Sequence, residues 1–383
     1  GYRRVEYEYG YETILSPEGT MAIVKNPKAV DYTVFPNSKP ENLPEDDGPH
    51  FAHNLRSKDI SHIDLSGELD YLLIADFDDH TKWPKSVPKE YDIEKIKKYG
   101  MDPGLGVRKL HELGINGQGV GIAIIDQSLL VNHVEYKNQL KLYEEIHIHV
   151  NMDRAEMHGP AVASIAVGKN VGVAPESDLY YIAAEQGTYK EDGYERDLYW
   201  TAKSIDRIVE INKILPLDKK IRVISISSGI VDPIMKNQVL VKEAINRAYS
   251  EGIYTIHTEN SLNGIGRDPL GDPNDLNSYT KGYFWKDYTK NRIRTDVANP
   301  MDSRFIASPT GEDKYVFYRS GGMSWAVPYT AGLYVLCCQV NPNITPEGFN
   351  TAVNKTATKV YLDHSAIEYK IVNPEALINE IKK

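Results

Sequence analysis

The sequence predicts an α/β fold with a mainly parallel central sheet and helices on both of its faces. Short apolar runs rich in β-branched residues, which are typical of buried parallel strands, lie at 120–125, 179–183, 221–226 and 253–257. Segments 197–213 and 239–250 between them have helical spacing of apolar residues. In such sheets, sites form beyond the carboxyl ends of the strands, so the residues after each run are the functional candidates.

Composition and charge exclude several classes of protein. The 383 residues are 41% hydrophobic and 26% charged, which excludes a disordered chain and a small disulfide scaffold. The net charge of −10 gives no electrostatic reason to expect nucleic acid or an anionic membrane as a partner. No apolar run approaches the roughly 20 residues of a membrane-spanning helix. Cys337 and Cys338 are adjacent, so no bridge that closes a long loop is predicted.

The first part of the chain differs in composition from the rest. It is rich in tyrosine, proline and acidic residues, and its stretch 40–49 is typical of a surface loop or linker. Segment 69–77 is predicted to be a strand, and 83–88 a connector. We therefore predict a boundary near residue 88, with an N-terminal extension at 1–88 and a second unit at 89–383.

Three residues at junctions between structural elements could carry chemistry. Asp126 ends a buried strand, His158 begins a segment of small residues, and Ser324 follows a glycine pair before another small-residue segment. Taken alone, each residue is more typical of a turn, a core histidine or a helix cap. Together they supply a hydroxyl, a base to take its proton and a carboxylate to orient the base, which is the set required for nucleophilic acyl transfer.

The order and surroundings of these residues resemble the subtilisin-like serine proteases over most of residues 100–357. The similar motifs are the strand ending Ile124-Ile125-Asp126, the pair His158-Gly159, the loop Gly172-Val173-Ala174-Pro175, and Ser324 four residues before Pro328. The resemblance implies a subtilisin-like fold and peptide-bond hydrolysis by an endopeptidase through an acyl-enzyme. It assigns Asp126, His158 and Ser324 as the catalytic triad.

The resemblance also implies an oxyanion hole and a substrate-binding edge. Asn260, just after the run at 253–257, resembles the oxyanion asparagine of the family, and the backbone N–H of Ser324 would be the second donor. Ser227, Ser228 and Gly229 resemble the edge along which an extended substrate pairs, and they would border the pocket nearest the cut.

Some flanking residues depart from the family pattern. Glu259 stands where the family usually has glycine before the oxyanion asparagine, and Trp325 follows the nucleophile. These departures keep a second hypothesis open, in which a catalytically silent relative binds and regulates a peptide or protein partner along the same edge.

The resemblance implies a protein or peptide substrate and no cofactor for the chemistry. Calcium is common in loops of this family, but the acidic loop 267–275 lacks the regular spacing of a calcium site, so no metal ligand is assigned. His147 and His149 alternate as metal ligands could, without a third ligand. Secretion or a cell-envelope location, and a folding pro-segment within 1–88, are expectations from the resemblance only. The sequence leaves the oligomeric state open.

Overall fold

The computed structural model describes residues 3–6, 12–15, 23, 25–35, 37–45, 52–148, 153–283, 297–362 and 368–383. The strands are β1 (Arg3–Glu6), β2 (Glu12–Leu15), β3 (His53–Asn54), β4 (Ala75–Asp78), β5 (Gly121–Asp126), β6 (Leu140–His147), β7 (Asp178–Ala184), β8 (Gly187–Lys190), β9 (Gly193–Arg196), β10 (Ile221–Ser225), β11 (Tyr254–Ile256), β12 (Asn263–Arg267), β13 (Tyr279–Thr280), β14 (Val297–Pro300), β15 (Arg304–Ala307), β16 (Tyr315–Tyr318), β17 (Thr358–Tyr361) and β18 (Glu368–Ile371).

The α-helices are α1 (Leu69–Leu72), α2 (Ile93–Met101), α3 (Val107–Glu112), α4 (His158–Val167), α5 (Tyr199–Ile214), α6 (Gln238–Ser250), α7 (Met323–Val340), α8 (Pro346–Thr356) and α9 (Pro374–Lys382). Short 3₁₀ turns lie at Tyr32–Val34, Leu217–Lys219 and Leu276–Ser278.

The central sheet has the strand order β11-β10-β5-β7-β6, and every pairing in it is parallel. This confirms the predicted fold class, and each of the four predicted strands overlaps a strand of this sheet. The edge strand β6 was not predicted, because its sequence, Leu-Lys-Leu-Tyr-Glu-Glu-Ile-His, carries charged residues that the fold nevertheless buries.

Helices cover both faces of the sheet because the β5 side chains alternate between them. Ile122 and Ile124 pack in the core cluster that includes the small residues of α4 and most of α7. Ala123 and Ile125 pack in the opposite cluster with the apolar faces of α5 and α6. Since the strands run parallel, their carboxyl ends meet at one edge of the sheet.

A second sheet joins the N-terminal part of the chain to the C-terminal half. Its order is β15-β16-β4-β3, and β4 pairs antiparallel with β16 so that Phe77 lies opposite Phe317. Their rings stack with centroids 4.9 Å apart, in a buried cluster that also contains Phe305. Residues on both sides of position 88 therefore share one sheet and one core. The domain boundary at 88 stays a prediction.

The predicted strand at 69–77 is wrong in its first half. Residues Leu69–Leu72 form the short helix α1, and only Ala75–Asp78 form the strand β4. The helix buries Leu72, while Asp70 remains outside the core. The sequence does not reveal this, because a helix and a strand have similar apolar patterns over so few residues.

No helix among the described residues is long and apolar enough to cross a membrane.

Replacing Phe77 by alanine should destabilise the whole protein, because the cavity would open in a core shared by the two ends of the chain. We expect a loss of about 3–5 kcal/mol in the free energy of unfolding, measured by urea denaturation. The control Leu113→Ala, at a side chain 74% exposed, should change it by less than about 0.5 kcal/mol. A loss for Phe77→Ala no larger than that of the control would show that the N-terminal strands do not stabilise the core.

Candidate active site

Asp126 is the last residue of β5 and lies at the carboxyl edge of the central sheet. Its side chain is buried, and Oδ1 accepts a hydrogen bond from the backbone N–H of Gln127 at 2.7 Å. The strand therefore holds the carboxylate in a fixed position at the floor of a cleft.

His158 is the first residue of α4, and its ring faces Asp126. Nδ1 lies 2.8 Å from Oδ1 and 2.9 Å from Oδ2 of Asp126. Because an ionised carboxylate only accepts hydrogen bonds, Nδ1 carries the proton and Nε2 keeps a lone pair in the neutral ring. Burial lowers the pKa of His158, but the charge and hydrogen bond of Asp126 outweigh it and leave this pKa raised.

Ser324 is the second residue of α7, which begins after a glycine pair. A Cβ on Gly321 would meet the Trp325 ring at 1.8 Å and Met301 O at 2.1 Å, so no larger residue fits this approach. Gly322 adopts a positive φ of 61°. The helix has no side-chain cap at its start, which leaves its first N–H groups available to a negatively charged group.

Trp325, the residue after Ser324 in α7, contacts His158. Its ring lies 5.3 Å from the His158 ring and 5.4 Å from the Tyr318 ring, centroid to centroid. Within the described ranges no hydrogen bond joins Ser324 to His158, and such bonds between a nucleophile and its base often tighten only when substrate binds. Asp126 and His158 are therefore assembled, and the start of α7 lies close to His158.

The predicted substrate edge, Ser227 to Gly229, adjoins Ser324. Ser227 Oγ donates a hydrogen bond to the backbone oxygen of Ser324 at 2.8 Å. Arg196, at the end of β9, donates through Nη2 to Ser228 Oγ and to Gly229 O, both at 3.1 Å. The guanidinium thus bonds to the Gly229 carbonyl, which a substrate strand paired along the predicted edge would need as a hydrogen-bond acceptor.

The carboxamide of Asn260 bonds to the backbone of the strand and turn that precede it. Its Oδ1 accepts from the backbone N–H of His257 at 2.8 Å, and its Nδ2 donates to Thr255 O at 2.9 Å. Asn260 lines a separate pocket of about 260 Å³ together with residues of α6 and α8. The sequence places Asn260 correctly after the strand but does not encode which of these partners its carboxamide takes.

A cleft of about 460 Å³ opens beside His158, between the sheet edge and the β8–β9 hairpin. Its lining includes Asp126, His158, Ser227 and Ser228, the hairpin residues Tyr189 and Tyr194, and the carboxyl groups of Glu156 and Glu185. Sequence reasoning missed the two glutamates. Glu185 directly follows β7, so the rule that sites lie after strands could have found it.

Glu156 and Glu185 form a carboxyl pair within this cleft. Burial, followed by the charge of Glu185 and a hydrogen bond to it, raises the pKa of Glu156 to about 8. Two adjacent carboxyl groups out of bulk water cannot both ionise without strong repulsion, so Glu156 keeps a proton near neutral pH.

The weaker predictions concern metals. Among the residues that the structure describes, no group of three or more His, Cys, Asp or Glu side chains could hold a metal ion. In the loop 267–275, Asp268 and Asp272 accept backbone N–H groups two residues ahead, as turn residues do. His147 contacts Gly187 O through Nε2 at 2.8 Å, and His149 lies outside the described residues.

Comparison with known proteins finds a family match over part of the chain. Residues 117–277, which include Asp126, His158 and the predicted substrate edge, match the model of the subtilase family. The match spans 161 of the 383 residues. Among solved structures, it is similar to "PatG macrocyclase in complex with peptide", with 15% identity, 73% of this chain and 96% of that chain covered, and a TM-score of 0.51. It is also similar to the "Prenylagaramide maturation protease PagA", with 17% identity, 72% and 98% covered, and a TM-score of 0.48. Subtilases require no cofactor for their chemistry.

Proposed function

We propose that this protein is a subtilisin-like serine endopeptidase in which Ser324 is the nucleophile, His158 the general base and Asp126 the residue that orients His158. The observation that carries the proposal is the contact of the Asp126 carboxylate with Nδ1 of His158, at 2.8 and 2.9 Å, beside the start of α7. This contact fixes the tautomer in which Nε2 can take a proton.

The proposed reaction proceeds through an acyl-enzyme. Ser324 Oγ attacks the scissile carbonyl carbon while Nε2 of His158 takes the hydroxyl proton, and Asp126 stabilises the resulting imidazolium. His158 then gives this proton to the leaving amine as the C–N bond breaks. A water molecule then attacks the ester carbonyl while the same nitrogen takes its proton. The bond to Ser324 Oγ breaks, the second product leaves with a new carboxyl group, and His158 returns the proton to Ser324 Oγ.

Charge on the carbonyl oxygen requires donors during both steps. The N–H of Ser324 at the start of α7 is the first, because the positive end of the helix dipole favours negative charge there. We propose Asn260 as the second. It must exchange its bonds to Thr255 O and His257 N–H for the oxyanion when substrate binds.

A specific observation favours the alternative of a catalytically silent binding protein. In the unliganded structure Asn260 bonds to the end of its own strand, and Arg196 bonds to the substrate edge at Gly229 O. A protein that only bound a partner along this edge would still need Arg196 to move, but not Asn260. The variants below distinguish the two functions.

Ser324→Ala and His158→Ala should each lower kcat for peptide hydrolysis by about four to six orders of magnitude, because the nucleophile and its base act as one unit. Both should also abolish labelling by a fluorescent fluorophosphonate, with the modified residue located by mass spectrometry. Ser250→Ala, at an exposed serine of α6, is the matched control and should retain both activities. Absence of labelling in folded wild-type protein would favour the silent binding protein.

The pH dependence should report the His158–Asp126 contact. Since the pKa of His158 is raised above 6.5, the neutral base forms only as pH rises through that higher value, so kcat/KM should increase with pH above 6.5. Asp126→Asn should lower kcat/KM and should shift its rise to lower pH. Glu156→Gln should move the rise less and retain the rate, because the raised pKa of Glu156 leaves that side chain largely uncharged where His158 titrates. If the rise of kcat/KM with pH were the same in Asp126→Asn as in the parent protein, the role of Asp126 beside His158 would be contradicted.

Asn260→Ala should lower kcat by about 10²–10³-fold with little change in KM, because the lost hydrogen bond forms only with the oxyanion. Steady-state kinetics on a peptide substrate measure this split. A loss below about threefold would mean that Asn260 stays at the end of β11 throughout the reaction.

A further inference from the structure

Glu259 lies close to the segment Ser227 to Gly229, which is predicted to border the pocket nearest the cut. It precedes Asn260 at the end of β11, and Oε1 accepts the backbone N–H of Val231 at 3.1 Å. The same oxygen lies 3.0 Å from the position that a Cβ on Gly229 would occupy. The carboxylate therefore faces the backbone of the predicted substrate edge, two residues beyond the serine that bonds to Ser324 O.

The Glu259 carboxylate is ionised over the working range of pH. Burial would raise the pKa of Glu259, but hydrogen bonds from His257 and from the Val231 N–H outweigh this effect and lower the pKa to about 2. The side chain is still 31% exposed, so a group that enters from solvent can approach it.

The carboxylate has capacity for another donor. A carboxylate offers about four acceptor positions. Val231 N–H occupies one on Oε1, while His257 Nδ1 at 2.8 Å and Thr258 Oγ at 3.1 Å occupy Oε2. Within the described ranges, no lysine or arginine forms an ion pair with Glu259. One position on Oε1, the oxygen that faces Gly229, is left for an incoming group.

The neighbouring cleft has the same sign of charge. Asp126 and Glu185 line it together with Glu156, which holds a proton near neutral pH, and its lining contains no lysine or arginine. Arg196 lies at the rim, where Gln186 Oε1, Ser228 Oγ and Gly229 O already accept its hydrogen bonds. Carboxylates along a concave surface attract cationic groups and repel anionic ones.

We propose that Glu259 selects substrates with a lysine or arginine side chain on the residue that precedes the scissile bond. This inference rests on the proposed endopeptidase function, because it assigns a specificity to the same site. The cationic group would take the remaining position on Oε1 from the side of Gly229, where the absence of a side chain leaves the carboxylate accessible. A charge-assisted hydrogen bond of this kind is stronger than a neutral one.

The test compares arginine with citrulline, which has nearly the same shape but no charge. In the Ser324→Ala protein, fluorescence polarisation gives the Kd of labelled product-length peptides that end in either residue. We expect arginine to bind at least tenfold more tightly than citrulline. In the intact protein, kcat/KM for fluorogenic peptides with the same residues before the cut should differ in the same direction.

Glu259→Gln should reduce the arginine-to-citrulline ratio to below about threefold in both measurements. Glu259→Asp, which keeps the charge, should retain a preference, and Glu243→Gln on α6 is the control that should leave the ratio unchanged. Equal binding of the two peptides by the parent protein would overturn the proposal, as would an unchanged ratio in Glu259→Gln. A preference for alanine over arginine would also overturn it, because Glu259 would then fill the pocket.

The two proposals fail separately. If the intact protein hydrolyses neither peptide and does not react with the fluorophosphonate, the endopeptidase function fails. The binding ratio measured with Ser324→Ala still decides whether Glu259 selects a cation. If hydrolysis occurs without a charge preference, only the role of Glu259 is lost.

Discussion

The parallel pairing of β10, β5 and β7 is the constraint on which the rest of the site depends. It brings the carboxyl ends of these strands to one edge, so Asp126, Glu185 and the segment after β10 meet there although they are far apart in sequence. Helix α7 then packs on one face of the sheet and starts at the same edge. The start of α7 lies close to His158, through the Trp325 ring, and Gly321 allows the chain before this helix to approach Met301 and Trp325 closely.

The N-terminal strands pack against residues that contact His158. β4 pairs with β16, and Tyr318 at the end of β16 contacts the Trp325 ring, which in turn contacts His158. Arg56, between β3 and β4, lies over the Tyr318 ring at 5.4 Å from its centroid. Residues 53–78 thus pack behind the residues that flank the proposed nucleophile.

The sequence was sufficient where local patterns decide the structure. Buried β-branched runs predicted the central strands, and the resemblance to the subtilisin-like proteases paired Asp126, at the end of one of them, with His158. It was insufficient where tertiary contacts decide. The carboxamide of Asn260 binds its own strand end, Glu156 and Glu185 become a pair only through folding, and segment 69–77 splits into helix and strand according to what it buries. These outcomes depend on partners distant in sequence, which no local pattern records.

The central claim is that Ser324 forms a covalent acyl-enzyme. The most direct measurement is mass spectrometry of the protein quenched with acid during turnover of a peptide ester, followed by proteolysis and mapping of the adduct. The account predicts an added acyl mass on Ser324, absent when His158 is replaced by alanine. Steady turnover without any adduct on Ser324, or with an acyl group on another residue, would contradict it.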